Sequence, residues 1–104
     1  MARFDVHRNP NRRSRERVPY LLDVQADLLS GLSTRLVAPL IPAADFGTPV
    51  EKLNPEFRIG GRAYIMATAE LAAVPRKSIG EKTETLEPQA TEILAAVDFL
   101  ISGF

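Results

Sequence analysis

The sequence predicts a small, mainly β domain, an antiparallel barrel or sheet with one C-terminal helix. Short stretches of alternating polar and apolar residues recur from the N-terminus to residue 66, which is typical of half-buried strands. Gly60-Gly61 separates two such stretches, as the turn of a two-residue hairpin does. Residues 88–101 alone have extended helical spacing. A length of 104 residues suits one domain with one core, spanning residues 1–104.

Two of the predicted strands contain a proline, which limits where they can lie in a sheet. The three strands predicted before the hairpin span residues 2–7, 18–25 and 34–41. Pro19 and Pro39 lack the N–H that a central strand donates, so they fit strand starts, edges or bulges. This favours a small barrel with bulges over a flat central sheet.

The remaining elements follow from turn and helix signals. Residues 57–66 form the predicted hairpin. Residues 42–55 are expected to be a connecting loop, part of which could pair as a short strand. Residues 69–73 could form a helical turn capped by Thr68. In the helix over residues 88–101, Pro88 suits the first position because a missing N–H there costs no hydrogen bond. The predicted inward stripe of this helix consists of Ala90, Ile93, Leu94, Val97, Leu100 and Ile101.

Composition excludes several kinds of chemistry. The chain has no cysteine, so disulfides and thiolate metal sites are impossible. The single histidine, His7, makes a zinc enzyme or a histidine triad improbable, and we expect it to face solvent or form a hydrogen bond. The acidic pair Asp23 and Asp27 is expected to be solvated surface charge. With no membrane span and no apolar signal-peptide block, we expect a cytoplasmic binding protein without metal or cofactor.

Charge and the C-terminus provide two candidate contact surfaces. The net charge is zero, yet the first 17 residues hold six arginines against two carboxylates. Most of these arginines lie between the first two predicted strands, in residues 8–17, here named the basic loop. The basic loop could contact phosphates or an acidic protein segment, or it could simply be solvated. At the other end, Phe104 follows Gly103. An apolar tip of this kind could dock into a partner, or it could fold into the core or a dimer contact.

Several stretches resemble the CcdB family of toxins, and together they run almost from end to end of the chain. They are residues 22–29 (LDVQADLL), 35–40 (RLVAPL), 58–61 (RIGG), 64–68 (YIMAT), 73–75 (AVP) and 78–81 (SIGE). The resemblance implies an SH3-like, mostly antiparallel fold with a C-terminal helix, and a homodimer that is not an enzyme. It also implies the toxin of a type II toxin–antitoxin module, which binds the A subunit of DNA gyrase and traps gyrase on cleaved DNA.

The resemblance further implies an antitoxin, the partly disordered CcdA, which neutralises the toxin and helps to repress the shared operon. DNA would then be contacted only through gyrase, or together with the antitoxin at the operator. The basic loop joins the first two strands, where an acidic antitoxin segment could bind. The residues of this hypothesis are Arg8, Arg12, Arg13 and Arg15.

The resemblance also assigns gyrase-contacting positions. The family ends in Trp-Gly-Ile, and the matching residues here are Ser102, Gly103 and Phe104. The further matching positions are Leu28, Leu29, Asp98 and Ile101, with Asp98 standing where the family has asparagine. Because Ser102 replaces the family's tryptophan, two functions stay open from the resemblance: a gyrase poison, and a diverged antitoxin-binding regulator with another target or no toxicity. A ribonuclease is a third hypothesis, because small barrels of related shape in other toxins cleave RNA.

Overall fold

The computed structural model describes residues 1–103. Within this range the strands are β1 (Asp5–Arg8), β2 (Tyr20–Asp23), β3 (Thr34–Pro42), β4 (Glu56–Ile59), β5 (Arg62–Met66), β6 (Ala72–Pro75) and β7 (Lys82–Thr85). The α-helices are α1 (Ala43–Phe46) and α2 (Ala90–Ser102). Short 3-10 helices span Asp27–Leu29, Thr68–Glu70, Arg76–Ser78 and Glu87–Gln89.

The strands form one curled antiparallel sheet, a half-barrel, and α2 follows the last strand in the chain. The order along the sheet is β4-β5-β3-β2-β1-β7, and β6 pairs with β3 off this path. Strand β3 pairs with β6 through residues 34–37 and with β5 through residues 40–42. The predicted fold class, mainly β with one C-terminal helix, is therefore confirmed.

Prolines and glycines lie where the sheet can accept them. Pro39 falls between the β6-paired and β5-paired parts of β3, where the strand changes partner. Pro19 directly precedes β2, a strand-start position. The predicted hairpin is β4–β5, and Gly60 and Gly61 have φ of 57° and 80°. Both turn residues thus adopt the left-handed conformation that glycine accepts without steric cost.

One prediction about the second half of the chain was wrong, and strands β6 and β7 were not predicted. Residues 69–73 do not form one helical turn, because a 3-10 helix ends at Glu70 and β6 then pairs with β3. Strand β7 was not predicted, because its sequence, KTET, has no apolar residue to alternate. It is a strand because β1 offers it a partner, not because of its own pattern. The expected loop over residues 42–55 also contains the short helix α1.

Both faces of the sheet are buried. The larger cluster lies under α2 and consists of Phe4, Val6, Leu22, Val24, Ala38, Leu40, Phe57, Ile59, Tyr64, Met66, Leu86 and Ile93. The smaller cluster consists of Val18, Leu21, Val37, Ile41, Ala67 and Ile79. Helix α2 buries Ile93 and Ala96 fully, whereas Leu100 and Ile101 are exposed. The inward stripe of the helix therefore ends before these two residues, contrary to the prediction.

One polar prediction also needs correction, and another is narrowed to one of its alternatives. Asp23 is fully buried, not solvated, because Arg35 neutralises it inside the protein. His7 does not face solvent: its Nδ1 lies 3.0 Å from the Gly80 carbonyl oxygen, which agrees with the hydrogen-bonded alternative. Asp27 is exposed, as predicted. No helix within residues 1–103 has the length and apolar character needed to cross a membrane.

Candidate partner-binding site

An exposed apolar turn follows β2. Residues 27–33, here named the leucine turn, begin with the 3-10 helix Asp27–Leu29. The side chains of Leu28, Leu29 and Leu32 are 97%, 50% and 50% exposed. The turn therefore presents three neighbouring apolar side chains to the outside, which is typical of a surface that a partner covers. Two of them, Leu28 and Leu29, are predicted contact residues.

A buried amide ties the leucine turn to the sheet. The Nε2 of Gln25 donates to the carbonyl oxygens of Leu29 and Thr34 at 3.0 and 3.2 Å. The Oε1 of Gln25 accepts from the N–H of Leu36 at 2.9 Å. Because the side chain spans the start of the turn and the strand after it, it fixes the two limbs relative to each other.

Asp23 and Arg35 form a buried ion pair that is hydrogen-bonded to the backbone of Gln25. The Nε of Arg35 donates to Asp23 Oδ2 at 2.8 Å, and both side chains are fully buried. Arg35 Nη2 lies 2.6 Å from the same oxygen without hydrogen-bond geometry, and Nη1 has no partner among the described residues. The other oxygen of Asp23 accepts from the N–H of Gln25 at 3.0 Å. The ion pair therefore fixes the backbone conformation at Gln25.

The leucine turn is also held from two distant segments. Arg76 Nη1 donates to the Ser30 carbonyl at 2.7 Å, and the N–H of Arg76 donates to the Ser33 carbonyl at 3.1 Å. The N–H of Arg3 donates to Asp27 Oδ1 at 2.9 Å. The turn is thus exposed in its side chains but hydrogen-bonded along its backbone.

The end of α2 is the second exposed apolar feature. Ile101 is 75% exposed, and Asp98, Ser102 and Gly103 are exposed too. Gly103 has φ 75°, and its N–H donates to the Phe99 carbonyl at 2.9 Å, so it ends the helix as a left-handed cap. Phe104 lies outside the described residues.

The leucine turn and the end of α2 belong to two different elements of the fold. Outside the sheet, α2 makes its main contacts with the 3-10 helices Thr68–Glu70 and Glu87–Gln89. A partner that uses both features must therefore touch two separate elements.

The basic loop is folded by its asparagines. Asn9 Nδ2 donates to Ser14 Oγ and to the Val18 carbonyl at 3.0 and 2.8 Å. Asn11 Oδ1 accepts from the N–H of Arg13 at 2.9 Å. These bonds close the loop on itself, so its arginines point outward from a defined backbone. The exposed arginines of the loop are Arg8, Arg12, Arg13, Arg15 and Arg17.

Two of these arginines are already paired within the chain. Arg8 Nε donates to Glu81 at 2.9 Å. Arg17 makes two bonds to Glu70, at 3.2 and 3.0 Å, and this pairing raises the pKa of Arg17. A surface cavity of about 540 Å³ lies beside the loop and is lined by Arg8 and Arg15, among other residues. Arg12, Arg13 and Arg15 supply the positive charge that a partner can use.

Several residues of this site escaped the sequence reasoning. Leu32 was not singled out, although an apolar residue inside a Gly-Ser turn was its signal. Gln25 and Arg35 gave no local signal, because their partners come from other parts of the fold. No group of three or more histidine, aspartate or glutamate side chains suited to a metal ion occurs within residues 1–103.

The same fold occurs in a solved toxin structure. That structure is an endoribonuclease in complex with its cognate antitoxin from Mycobacterial species, with a TM-score of 0.77 and 10% sequence identity. The match covers 97% of this chain and 94% of that chain. The curled half-barrel described above is thus a fold that this solved structure shares.

The family model described as CcdB protein matches residues 3–103. The chain belongs to the CcdB family. Membership of this family indicates the toxin of a toxin–antitoxin system.

Proposed function

We propose that the protein is a homodimeric cytoplasmic toxin that binds the A subunit of DNA gyrase and traps the complex of gyrase with cleaved DNA. A CcdA-like antitoxin neutralises it and shares control of the operon. The observation that carries the proposal is the exposure of Leu28 and Ile101. Both are apolar, and both stand at positions that the family resemblance assigns to gyrase contact.

Burial of such side chains can supply the binding energy. Covering an exposed leucine or isoleucine contributes about 1.5–3 kcal/mol. The family tryptophan is replaced by Ser102, so more of the interface energy must come from Leu28, Leu29 and Ile101. Gly103 matches the family's glycine and ends α2 as a left-handed cap.

The mechanism requires no bond chemistry from this protein. Gyrase itself cleaves the DNA, and the toxin binds the cleaved state more tightly than the closed state, which shifts the population of gyrase toward it. A two-fold symmetric toxin dimer matches a two-fold symmetric pair of gyrase A subunits. The burial of His7, bonded to Gly80, supports a binding protein over a ribonuclease that uses histidine.

The test is a cleavage assay with the purified protein, gyrase from its own host, and ATP. We expect linear, protein-linked DNA to accumulate, and total RNA to stay intact after induction in cells. Leu28→Ala and Ile101→Ala should each weaken gyrase binding at least about tenfold, as truncated interface anchors do. Val50→Ala is the control, because Val50 is another exposed apolar residue, 52% exposed, that lies outside the proposed contact positions.

A second function is favoured by one observation, the serine at position 102. If the tryptophan's energy is not replaced, the protein is an antitoxin-binding co-regulator with another target or no toxicity. This candidate predicts tight antitoxin binding, no cleavage product and no growth defect. A folded dimer that leaves gyrase unaffected would establish it and overturn the first proposal; degraded RNA with intact DNA would overturn both.

For the antitoxin, we propose that an acidic segment binds the basic loop. Reversing Arg12, Arg13 and Arg15 to glutamate should weaken antitoxin binding and reduce its dependence on salt. Arg58 and Arg62, exposed on the β4–β5 hairpin, provide the control for charge reversal elsewhere. Unchanged affinity at low salt in the triple variant would rule out the basic loop as the antitoxin site.

A further inference from the structure

The leucine turn has a defined shape that its own side chains cannot provide. Its three leucines are at least half exposed, so they pack little against the protein. Within the turn, the N–H of Leu32 donates to the Leu29 carbonyl at 3.1 Å. Ordering the backbone costs about 1–2 kcal/mol for each residue. Contacts from outside the turn must offset that cost.

Gln25 provides the contacts that reach across the turn. Its single side chain donates to carbonyls on both limbs, Leu29 and Thr34, and accepts from Leu36. The side chain is only 8% exposed, so water competes weakly for these three bonds. Arg76 also bonds the turn, at the Ser30 and Ser33 carbonyls, but one of these bonds comes from its backbone N–H. Among the described residues, only the Gln25 side chain donates to both Leu29 and Thr34.

The ion pair holds Gln25 in the position from which it can reach these partners. Asp23 Oδ1 accepts from the N–H of Gln25, while Asp23 Oδ2 pairs with Arg35. Since Arg35 belongs to β3 and Asp23 to β2, the two central strands set the conformation at residue 25. The geometry therefore links the sheet interior to an exposed apolar surface.

From this arrangement we infer that Gln25 is a positioning residue: it holds the leucine turn in the shape that presents Leu28 to the partner. The inference rests on the proposed function for the identity of that partner, the gyrase A subunit. A turn that is already ordered loses less conformational entropy when it binds, which increases affinity. Gln25 acts through the leucines and does not itself touch the partner.

The test combines amide hydrogen exchange with a double-mutant cycle for gyrase binding. In Gln25→Leu, amide exchange in residues 27–33 should become faster, and gyrase affinity should fall about tenfold. In a Leu28→Ala background, the same substitution should cost less than threefold, because the side chain that it positions is already gone. All variants are measured at a temperature where circular dichroism shows them folded.

Asn54→Leu is the matched control for loss of a bridging amide. Asn54 accepts from the N–H of Val50 at 2.9 Å and donates to the Met66 carbonyl at 3.0 Å, away from the leucine turn. This variant should lose stability but keep gyrase affinity and slow exchange in residues 27–33. A purely structural role for Gln25 predicts instead that both amide variants lose affinity in proportion to their loss of stability.

Each outcome decides a separate question. Additive losses for Gln25→Leu and Leu28→Ala, or unchanged exchange in residues 27–33, would overturn the inference. If the unaltered protein does not bind gyrase, the proposed function fails on its own. The exchange result still decides whether Gln25 holds the leucine turn.

Discussion

Replacing Asp23 with asparagine should destabilise this protein severely while changing its shape very little. Asparagine has the same size and retains an oxygen that can accept from the N–H of Gln25. What it removes is the negative charge opposite Arg35, whose side chain is fully buried. The guanidinium would remain charged, because arginine does not lose its proton in proteins. The variant therefore isolates the cost of a buried charge without its counter-ion.

The magnitude follows from burial. Removing one partner of a buried ion pair costs about 3–5 kcal/mol. A domain of this size has a free energy of unfolding of about 5–15 kcal/mol in total. Arg35 Nη1 already lacks a hydrogen-bond partner among the described residues, so no existing bond compensates for the lost charge. With a urea dependence of about 2 kcal/mol per molar, the unfolding midpoint should fall by roughly 2 M.

The assay is urea unfolding followed by circular dichroism at one fixed protein concentration. Asp45→Asn, the same substitution at an exposed site in α1, should stay within about 0.5 kcal/mol of the unaltered protein. Replacing Asp23 by leucine and Arg35 by methionine together should restore part of the stability, because no unpaired charge remains. The rest stays lost, because the N–H of Gln25 has no acceptor in this double variant. A loss below about 1 kcal/mol in Asp23→Asn would refute the reasoning, since the pair would then contribute too little to matter.

Three further predictions concern single positions. Gly80→Ala should cost about 1–3 kcal/mol in urea unfolding, because its Cβ would lie 2.6 Å from the Arg8 carbonyl oxygen, whereas Gly31→Ala has open space and should be neutral. Gly103→Ala should lower stability by about 1 kcal/mol, because the cap has φ 75°; an unchanged thermal midpoint would contradict this. Burial raises the pKa of Tyr64 above its ordinary value of 10.0, so the tyrosine loses its proton first in the unfolded state. Stability should therefore fall as pH rises through about 10. Tyr64→Phe should reduce this alkaline loss of stability, measured by urea unfolding at a series of pH values.

The local patterns predicted those parts of the fold whose causes are local. The hairpin depended on two glycines in sequence, and the helix on a repeat of apolar residues of which α2 fully buries Ile93. Strand β7 lacked such a pattern, since KTET becomes a strand only when β1 lies beside it. Asp23 looked like surface charge for the same reason: its neutralising partner, Arg35, is twelve residues away.

The apolar part of the candidate site was predictable only where the family resemblance supplied positions. Leu28 and Ile101 were named from that resemblance, and the structure shows both exposed. Exposure itself was not readable from the sequence, because Ile101 continues the apolar stripe of α2 and seemed to face inward. The contribution of Gln25 depends on hydrogen bonds to residues up to eleven positions away, which no short motif encodes.

The fold alone leaves the chemistry undecided, and surface residues must supply the distinction. A protein with the same half-barrel and 10% identity is an endoribonuclease, so this scaffold is compatible with catalysis as well as with binding. In the present chain, the ring of His7 is buried against Gly80, and the Asp23–Arg35 pair is sealed inside the sheet. These polar groups therefore make their contacts inside the protein and not with a substrate at its surface. The exposed features are apolar side chains on a hydrogen-bonded backbone, and arginines that point outward. In the functions proposed above, the apolar side chains would contact an apolar surface of one partner, and the arginines would contact an acidic segment of another.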